Sequence, residues 1–193
     1  MLRKAKKSET SSLAKIHYFE LYSDFLSSLG EKFLRLLYED LLGEDTHIYV
    51  VSYGDGIQGF VAGSKDFNSV FKKIIIKNFI KYSFMLLPRV LYSPFILKKI
   101  FETLFYIKKE GKSVPQAELI AIAVSKKYHR KGFGKRLVRI LEKSFLQHNV
   151  REYKVSVNAD NYIANSFYSS LGFKKNHDFY LYGKKINLYT KRI

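Results

Sequence analysis

Apolar residues repeat along this chain with two different spacings, and the alternation divides it into helices and strands. Phe33, Leu34, Leu37, Tyr38 and Leu41 recur at three and four, which predicts one apolar helix face between Gly30 and Gly43. An earlier helical pattern begins near Ser12 and continues through Leu13, Ile16 and Phe19 to Phe25 and Leu26. Residues 2–6 suit a short first strand. Residues 47–53 and 57–62 are β-rich runs joined by Gly54-Asp55-Gly56, a hairpin signal. Residues 119–124 form an apolar, β-branched run of the length of a buried strand. A polar stretch, 125–131, ends it. Gly132-Phe133-Gly134 then leads directly into a helix whose Leu137, Val138, Leu141 and Phe145 share a face. Residues 152–157 alternate polar and apolar as a strand does. Ala164, Phe167, Tyr168 and Leu171 make one further helical stripe. Gly172 stands where a helix end favours positive φ, and Phe173 begins the next strand.

Between the hairpin and the 119–124 strand lie nearly fifty residues, too many for a plain loop in a compact domain. Val70, Phe71, Ile74, Ile75, Phe79 and Tyr82 predict a helix that Pro88 and Pro94 interrupt. Residues 95–106 predict another. Residues 65–110 carry ten Lys or Arg against three acids, so this is a basic amphipathic insertion.

Composition narrows the class. A chain of 193 residues with 47% hydrophobic and 16% aromatic content buries a real core and makes one domain, 1–193, with the insertion 65–113 inside it. The absence of cysteine excludes disulfides, thiolate metal sites and cysteine nucleophiles. Five histidines stand without ligand spacing, so no metal is expected. The basic N-terminal residues precede no apolar signal region, and no apolar run approaches the roughly 20 residues of a membrane span. A cytoplasmic protein is the simplest reading. The net charge of +17 favours acidic partners, but no RNA-binding aromatic signature accompanies it, so no specific nucleic acid is expected. A GxGxxG at Gly54, Gly56 and Gly59 is a decoy, because a strand follows it where dinucleotide binding requires a helix.

Strand, glycine loop and helix in the order seen over 119–146 make an anion cradle. Glycine lets the backbone approach closely, and the first amides of the helix point outward at the positive end of its dipole. Arg130, Lys131, Lys135 and Arg136 concentrate positive charge there. The segment His129-Arg130-Lys131-Gly132-Phe133-Gly134 resembles the acetyl-CoA pyrophosphate loop of the GNAT (GCN5-related) N-acetyltransferase family. It departs at the first position, where His129 replaces the usual Gln or Arg. Downstream, Asn161, Ala164, Phe167-Tyr168 and Gly172-Phe173 resemble the second signature of the same family. The two signatures together occupy 114–175.

The resemblance implies a GNAT fold, an α/β architecture with a mixed central sheet flanked by helices and a helical insertion between the third and fourth strands. It implies acetyl-CoA as cosubstrate and direct transfer from the thioester to a primary amine. Ile122, Ala123 and Val124 would hold the pantetheine by their backbone, and Arg130, Lys131, Gly132, Phe133, Gly134 and Lys135 the pyrophosphate. Asn161 would contact the coenzyme. Tyr168 would serve as general acid to the departing thiolate and also touch the coenzyme. Glu118, at the start of the strand, is the candidate general base, with an ordinary strand-end glutamate as the alternative. The acceptor expected is a small amine, with anionic and sugar-linked amines favoured by the charge. The insertion is expected to cover the acceptor side of the cleft. Contact with anionic membrane and a dimer are further expectations. The rival functions are a non-catalytic acyl-CoA-binding module of the same fold and a basic RNA- or ribosome-associated protein.

Overall fold

Seven strands form one sheet: Leu2–Lys4 (β1), Thr46–Tyr53 (β2), Gly56–Ser64 (β3), Glu118–Val124 (β4), Glu152–Asn158 (β5), Lys174–Leu181 (β6) and Lys184–Arg192 (β7). The computed structural model describes residues 1–54, 56–104 and 114–193. The strand order is β1-β2-β3-β4-β5-β7-β6, and every neighbouring pair is antiparallel except β4 with β5. Helices Thr10–Glu20 (α1), Phe25–Ser28 (α2) and Glu31–Leu41 (α3) precede the β2–β3 hairpin. Phe67–Lys77 (α4), Phe79–Tyr92 (α5) and Phe95–Leu104 (α6) occupy the insertion. Phe133–Gln147 (α7) follows β4 and Tyr162–Ser170 (α8) follows β5.

The pleat distributes the strand side chains between two cores. Val50, Phe60 and Ala62 face Leu13, Leu34 and Leu37 of α1 and α3. Val61, Leu119 and Val155 face Leu137, Leu141 and Phe145 of α7. The mixed sheet with helices on both sides matches the expected fold, and the predicted face of α7 is the buried one. Tyr182 and Gly183, both with positive φ, turn β6 into β7, a strand not among those predicted from the sequence.

Two predicted helices differ. The first helix ends at Glu20, and α2 begins separately after Asp24, whose extended backbone (φ −80, ψ 151) breaks the run. Pro88 lies inside α5 and does not interrupt it. It sits on the outward side, where water can satisfy the carbonyl that its missing N–H leaves free. The break falls instead at Asn78, whose backbone N–H and side-chain amide both donate to the Ile74 carbonyl and close α4. Pro94 does separate α5 from α6. Asp55 in the hairpin turn and residues 105–113 of the insertion lie outside the described residues.

Two buried histidines tie the helices down. His17 on α1 is 2% exposed and places Nδ1 2.7 Å from the Tyr38 hydroxyl on α3. His47 on β2 is 3% exposed, with Nδ1 2.9 Å from Ser144 Oγ on α7. Burial lowers both imidazoles from 6.5 to about 4, and the neighbouring His148 adds to the effect at His47. The unfolded chain therefore takes up these protons first as pH falls. Their contribution is complete above pH 6.5 and is lost progressively toward pH 4, by up to about 3 kcal/mol per residue. Urea midpoints against pH should show this fall, and His17→Gln or His47→Gln should each flatten it. Equal slopes in wild type and variants would remove these residues from the linkage.

Candidate functional site

β4 and β5 touch only at one end. Glu118↔Lys154 is their registered pair among the described residues, and Lys154 N–H donates to the Ala117 carbonyl at 2.9 Å. Beyond it the parallel strands carry no further ladder, so the β5-facing backbone edge of Ile122, Ala123 and Val124 is left open. An irregularity in the β3–β4 register falls at the same place: Ala62 pairs with Ala121 but Gly63 with Leu119, which bulges Ile120 out of the ladder. The predicted pantetheine-binding residues thus line an opening in the sheet. Its two arms lead into α7 and α8.

At the end of β4, residues Lys126–Tyr128 form a single 3₁₀ turn, and Glu20 of α1 accepts from Lys126 N–H at 2.8 Å. His129 turns its ring back and donates through Nε2 to the Val124 carbonyl at 2.6 Å, with Glu20 Oε2 3.6 Å away. The atypical first position of the loop thus closes the loop onto its own strand, and Arg130 beside it adopts φ 58 and projects into solvent. Gly132 follows in the left-handed region (φ 77) as the N-cap of α7. Arg136 is the first residue whose N–H closes on the helix, donating to the Gly132 carbonyl. The amides of Phe133, Gly134 and Lys135 precede it and emerge from the helix end. Arg130, Lys131, Lys135 and Arg136 stand exposed around them. Lys131 Nζ lies 5.0 Å from the Tyr128 ring centroid, which holds one of these cations beside the loop. The donor set, uncapped amides plus four cations, fits a pyrophosphate.

The second arm is pinned by a residue whose role the sequence does not disclose. Asn165 Nδ2 donates to the carbonyls of Asn158 and Asn161 at 2.9 and 2.7 Å, while its Oδ1 accepts from Asn187 Nδ2 and the Tyr189 hydroxyl. These bonds lock α8 to the end of β5 and to β7. Asn161 caps α8, accepting from Ala164 N–H at 3.0 Å. Phe167 packs against Gly134, so the two arms meet at the helix end. Tyr168 points inward, 5% exposed, between Phe173 and Tyr189. Burial, with the charge of Asp24 second, raises its hydroxyl well above the usual range, so it is a neutral phenol at any physiological pH.

The two carboxylates of the region differ. Glu118 is 6% exposed, on the sheet, with Oε2 3.8 Å from Nζ of Lys154, itself 1% exposed. Asp24, which no motif marks, stands between α1 and α2 with one side open to solvent. Desolvation by the protein around its other side pushes its carboxyl up to about 6, against the opposing pull of Lys184. Its charge also raises the phenols of Tyr38, Tyr168 and Tyr182. Asp24 therefore acts at a distance on the Tyr168 phenol of α8. The insertion reaches Phe25 and Tyr182: Lys99 of α6 lies over the Phe25 ring, Glu102 accepts from Tyr182 N–H at 2.6 Å, and Thr103 Oγ1 is 2.6 Å from the Tyr182 hydroxyl. Among the described residues no group of three or more His, Asp or Glu gathers as a metal site.

A family model described as "Acetyltransferase (GNAT) family" matches residues 15–173. Among solved structures, a ribosomal-protein-alanine N-acetyltransferase from Brucella melitensis superposes with a TM-score of 0.63 at 11% identity, covering 100% of this chain and 99% of that one. An N-acetyltransferase from Staphylococcus aureus Mu50 gives 0.63 at 13% identity, covering 100% and 97%. The structure of yncA from Salmonella typhimurium, solved with its cofactor acetyl-CoA, gives 0.63 at 11% identity, covering 100% and 92%. No curated protein matches the chain.

Proposed function

The chain belongs to the GNAT acetyltransferase family, and from that premise we propose that it transfers the acetyl group of acetyl-CoA directly to a primary amine. The observation that carries the reading is that the uncapped, cation-ringed end of α7 follows directly on the ladder-free edge of β4. Acetyl-CoA, when bound, supplies an activated acetyl thioester. The amides of Phe133, Gly134 and Lys135 bind the diphosphate, and Ile122–Val124 hold the pantetheine as a strand would be held. Asn165 keeps α8 in place, and we assign to Tyr168, carried on that helix, the proton that the departing thiolate takes up.

An ammonium must lose a proton before it attacks. Of the two carboxylates, we assign that proton to Asp24, because it is open to solvent, from which an amine arrives, while Glu118 is enclosed with Lys154. Glu118 then acts in positioning, keeping the closed end of the β4–β5 junction together. Since Asp24 accepts only when ionised, turnover should fall as pH drops below about 6. Asp24→Asn should lower kcat/KM by about 10²-fold and abolish that limb. Glu118→Gln should instead cost stability, by weakening the buried pairing of this position with Lys154. An unchanged acid limb in Asp24→Asn would return the base to Glu118 or to water.

Screening amines by thiol release, beside calorimetric titration with acetyl-CoA, tests the activity itself. Coenzyme binding without turnover on amino sugars, polyamines, amino acids or peptide N-termini would favour the non-catalytic acyl-CoA module. The basic surroundings favour an acceptor that also carries phosphate or carboxylate.

A further inference from the structure

Helix α5 is apolar on both sides. Its inner side places Tyr82 against Phe33 and hydrogen-bonds the Tyr82 hydroxyl to Asp40 at 2.7 Å. Its outer side presents Ile80, Phe84, Leu87 and Leu91, spaced four, three and four, and these are 70, 75, 52 and 75% exposed. A helix that already has a buried face gains nothing from water on such a stripe. The stripe continues beyond both ends of α5, through Ile76 on α4 at 77% and Phe95 on α6 at 73%.

Charge says what covers it. Residues 66–104 hold seven basic side chains against two acids. Both acids are engaged within the fold: Asp66 caps α4 through Ser69 N–H, and Glu102 accepts from Tyr182 N–H. Lys72, Lys77, Lys81 and Lys98 stand exposed on the same helices, while Lys73 is held by Glu44 within the fold. A second copy of this chain is a poor occupant, because it would set one lysine rim against another in a protein of net charge +17. We propose that the outer face of α4–α6 docks on the surface of a bilayer carrying anionic headgroups. The apolar stripe enters the acyl boundary and the lysines meet the headgroups, as amphipathic helices do when they lie in a membrane interface. No helix among the described residues is long and apolar enough to cross a membrane, so the contact is peripheral. Exposed aromatic residues extend the face toward the catalytic region. Tyr18 and Phe19 on α1, and Tyr22 just after it and two residues before Asp24, share a cavity of about 400 Å3 with Arg89 of α5. Docking would therefore bring the acceptor side of the cleft next to the membrane.

Cosedimentation with vesicles provides the test, comparing phosphatidylcholine alone with phosphatidylcholine containing about 30% phosphatidylglycerol. The protein should bind the anionic vesicles, with affinity that falls as salt rises, and should ignore the neutral ones. The charge-neutral triple variant Phe84→Ser/Leu87→Ser/Leu91→Ser should lose at least about tenfold in vesicle affinity, because three apolar side chains no longer enter the bilayer. Its acetyl-CoA affinity should be unchanged, which separates failure here from failure of the acetyltransferase reading. Anionic-vesicle binding that is equal in the wild type and the triple variant would mean generic attraction of a basic protein and would overturn the proposal. So would absence of binding, equal binding to both vesicles, or a concentration-dependent dimer in sedimentation that the triple variant dissolves.

Discussion

Gly132→Glu is expected to abolish acetyl-CoA binding, with an affinity loss above about 10²-fold and a fold that survives. Gly132 holds the left-handed conformation (φ 77) at the N-cap of α7, and a Cβ added there would meet nothing within 4 Å. The replacement therefore costs the backbone about 1 kcal/mol and creates no clash inside the protein. Its side chain enters the open space in front of the amides of Phe133, Gly134 and Lys135, where it brings a negative charge to the place an anion must occupy. Gly132→Ala separates the two effects, since it carries the backbone strain without the charge and should weaken binding only mildly. Gly134 is a less clean position, because a Cβ there would fall 3.2 Å from the Phe167 ring and disturb the joint between α7 and α8. Calorimetric titration with acetyl-CoA, beside thermal melts, reads both quantities. A folded Gly132→Glu protein that binds within about threefold of wild type would move the cradle elsewhere.

Local pattern made the cradle legible. Leu137, Val138, Leu141 and Phe145 advertise their helix by spacing, and glycine marks two of the positions with positive φ, Gly132 and Gly172. What escaped is what depends on pairing across the chain. Asp24 reads as one polar residue in a helical run, and its importance comes only from the elements that fold around it. Asn165 reads as a polar helix position, yet it ties β5, α8 and β7 together. Lys154 sits among alternating residues as any solvated lysine would, until the parallel junction encloses it with Glu118. Pro88 misled in the opposite sense: the local rule breaks a helix there, and solvent on the outward side of α5 relieves the cost. The insertion was legible as helices by composition, but which of its two apolar faces turns inward is decided by Phe33, Asp40 and Gly30, all more than forty residues away from their partners on α5.

Tyr168→Phe should reduce kcat by about 10²–10³-fold and leave acetyl-CoA affinity within about twofold. The ring is held by Phe167, Phe173 and Tyr189 and is 5% exposed, so phenylalanine keeps the packing and removes one hydroxyl. That hydroxyl stays protonated because burial and the charge of Asp24 both oppose a phenolate. A buried group fixed as a neutral O–H is a hydrogen-bond donor that cannot be lost to solvent at working pH. Such a donor contributes little to a neutral thioester and most when negative charge gathers on the departing sulfur, so its removal belongs in kcat and not in coenzyme binding. The same electrostatics couple it to Asp24. Asp24→Asn removes the carboxylate charge that raises the phenol, so the double variant should lose less than the product of the two single losses. Kinetics of the two single variants and the double variant, with calorimetry for the coenzyme, measure this directly. A Tyr168→Phe protein with wild-type kcat would make Tyr168 a core aromatic of α8 and leave the departing thiolate to water.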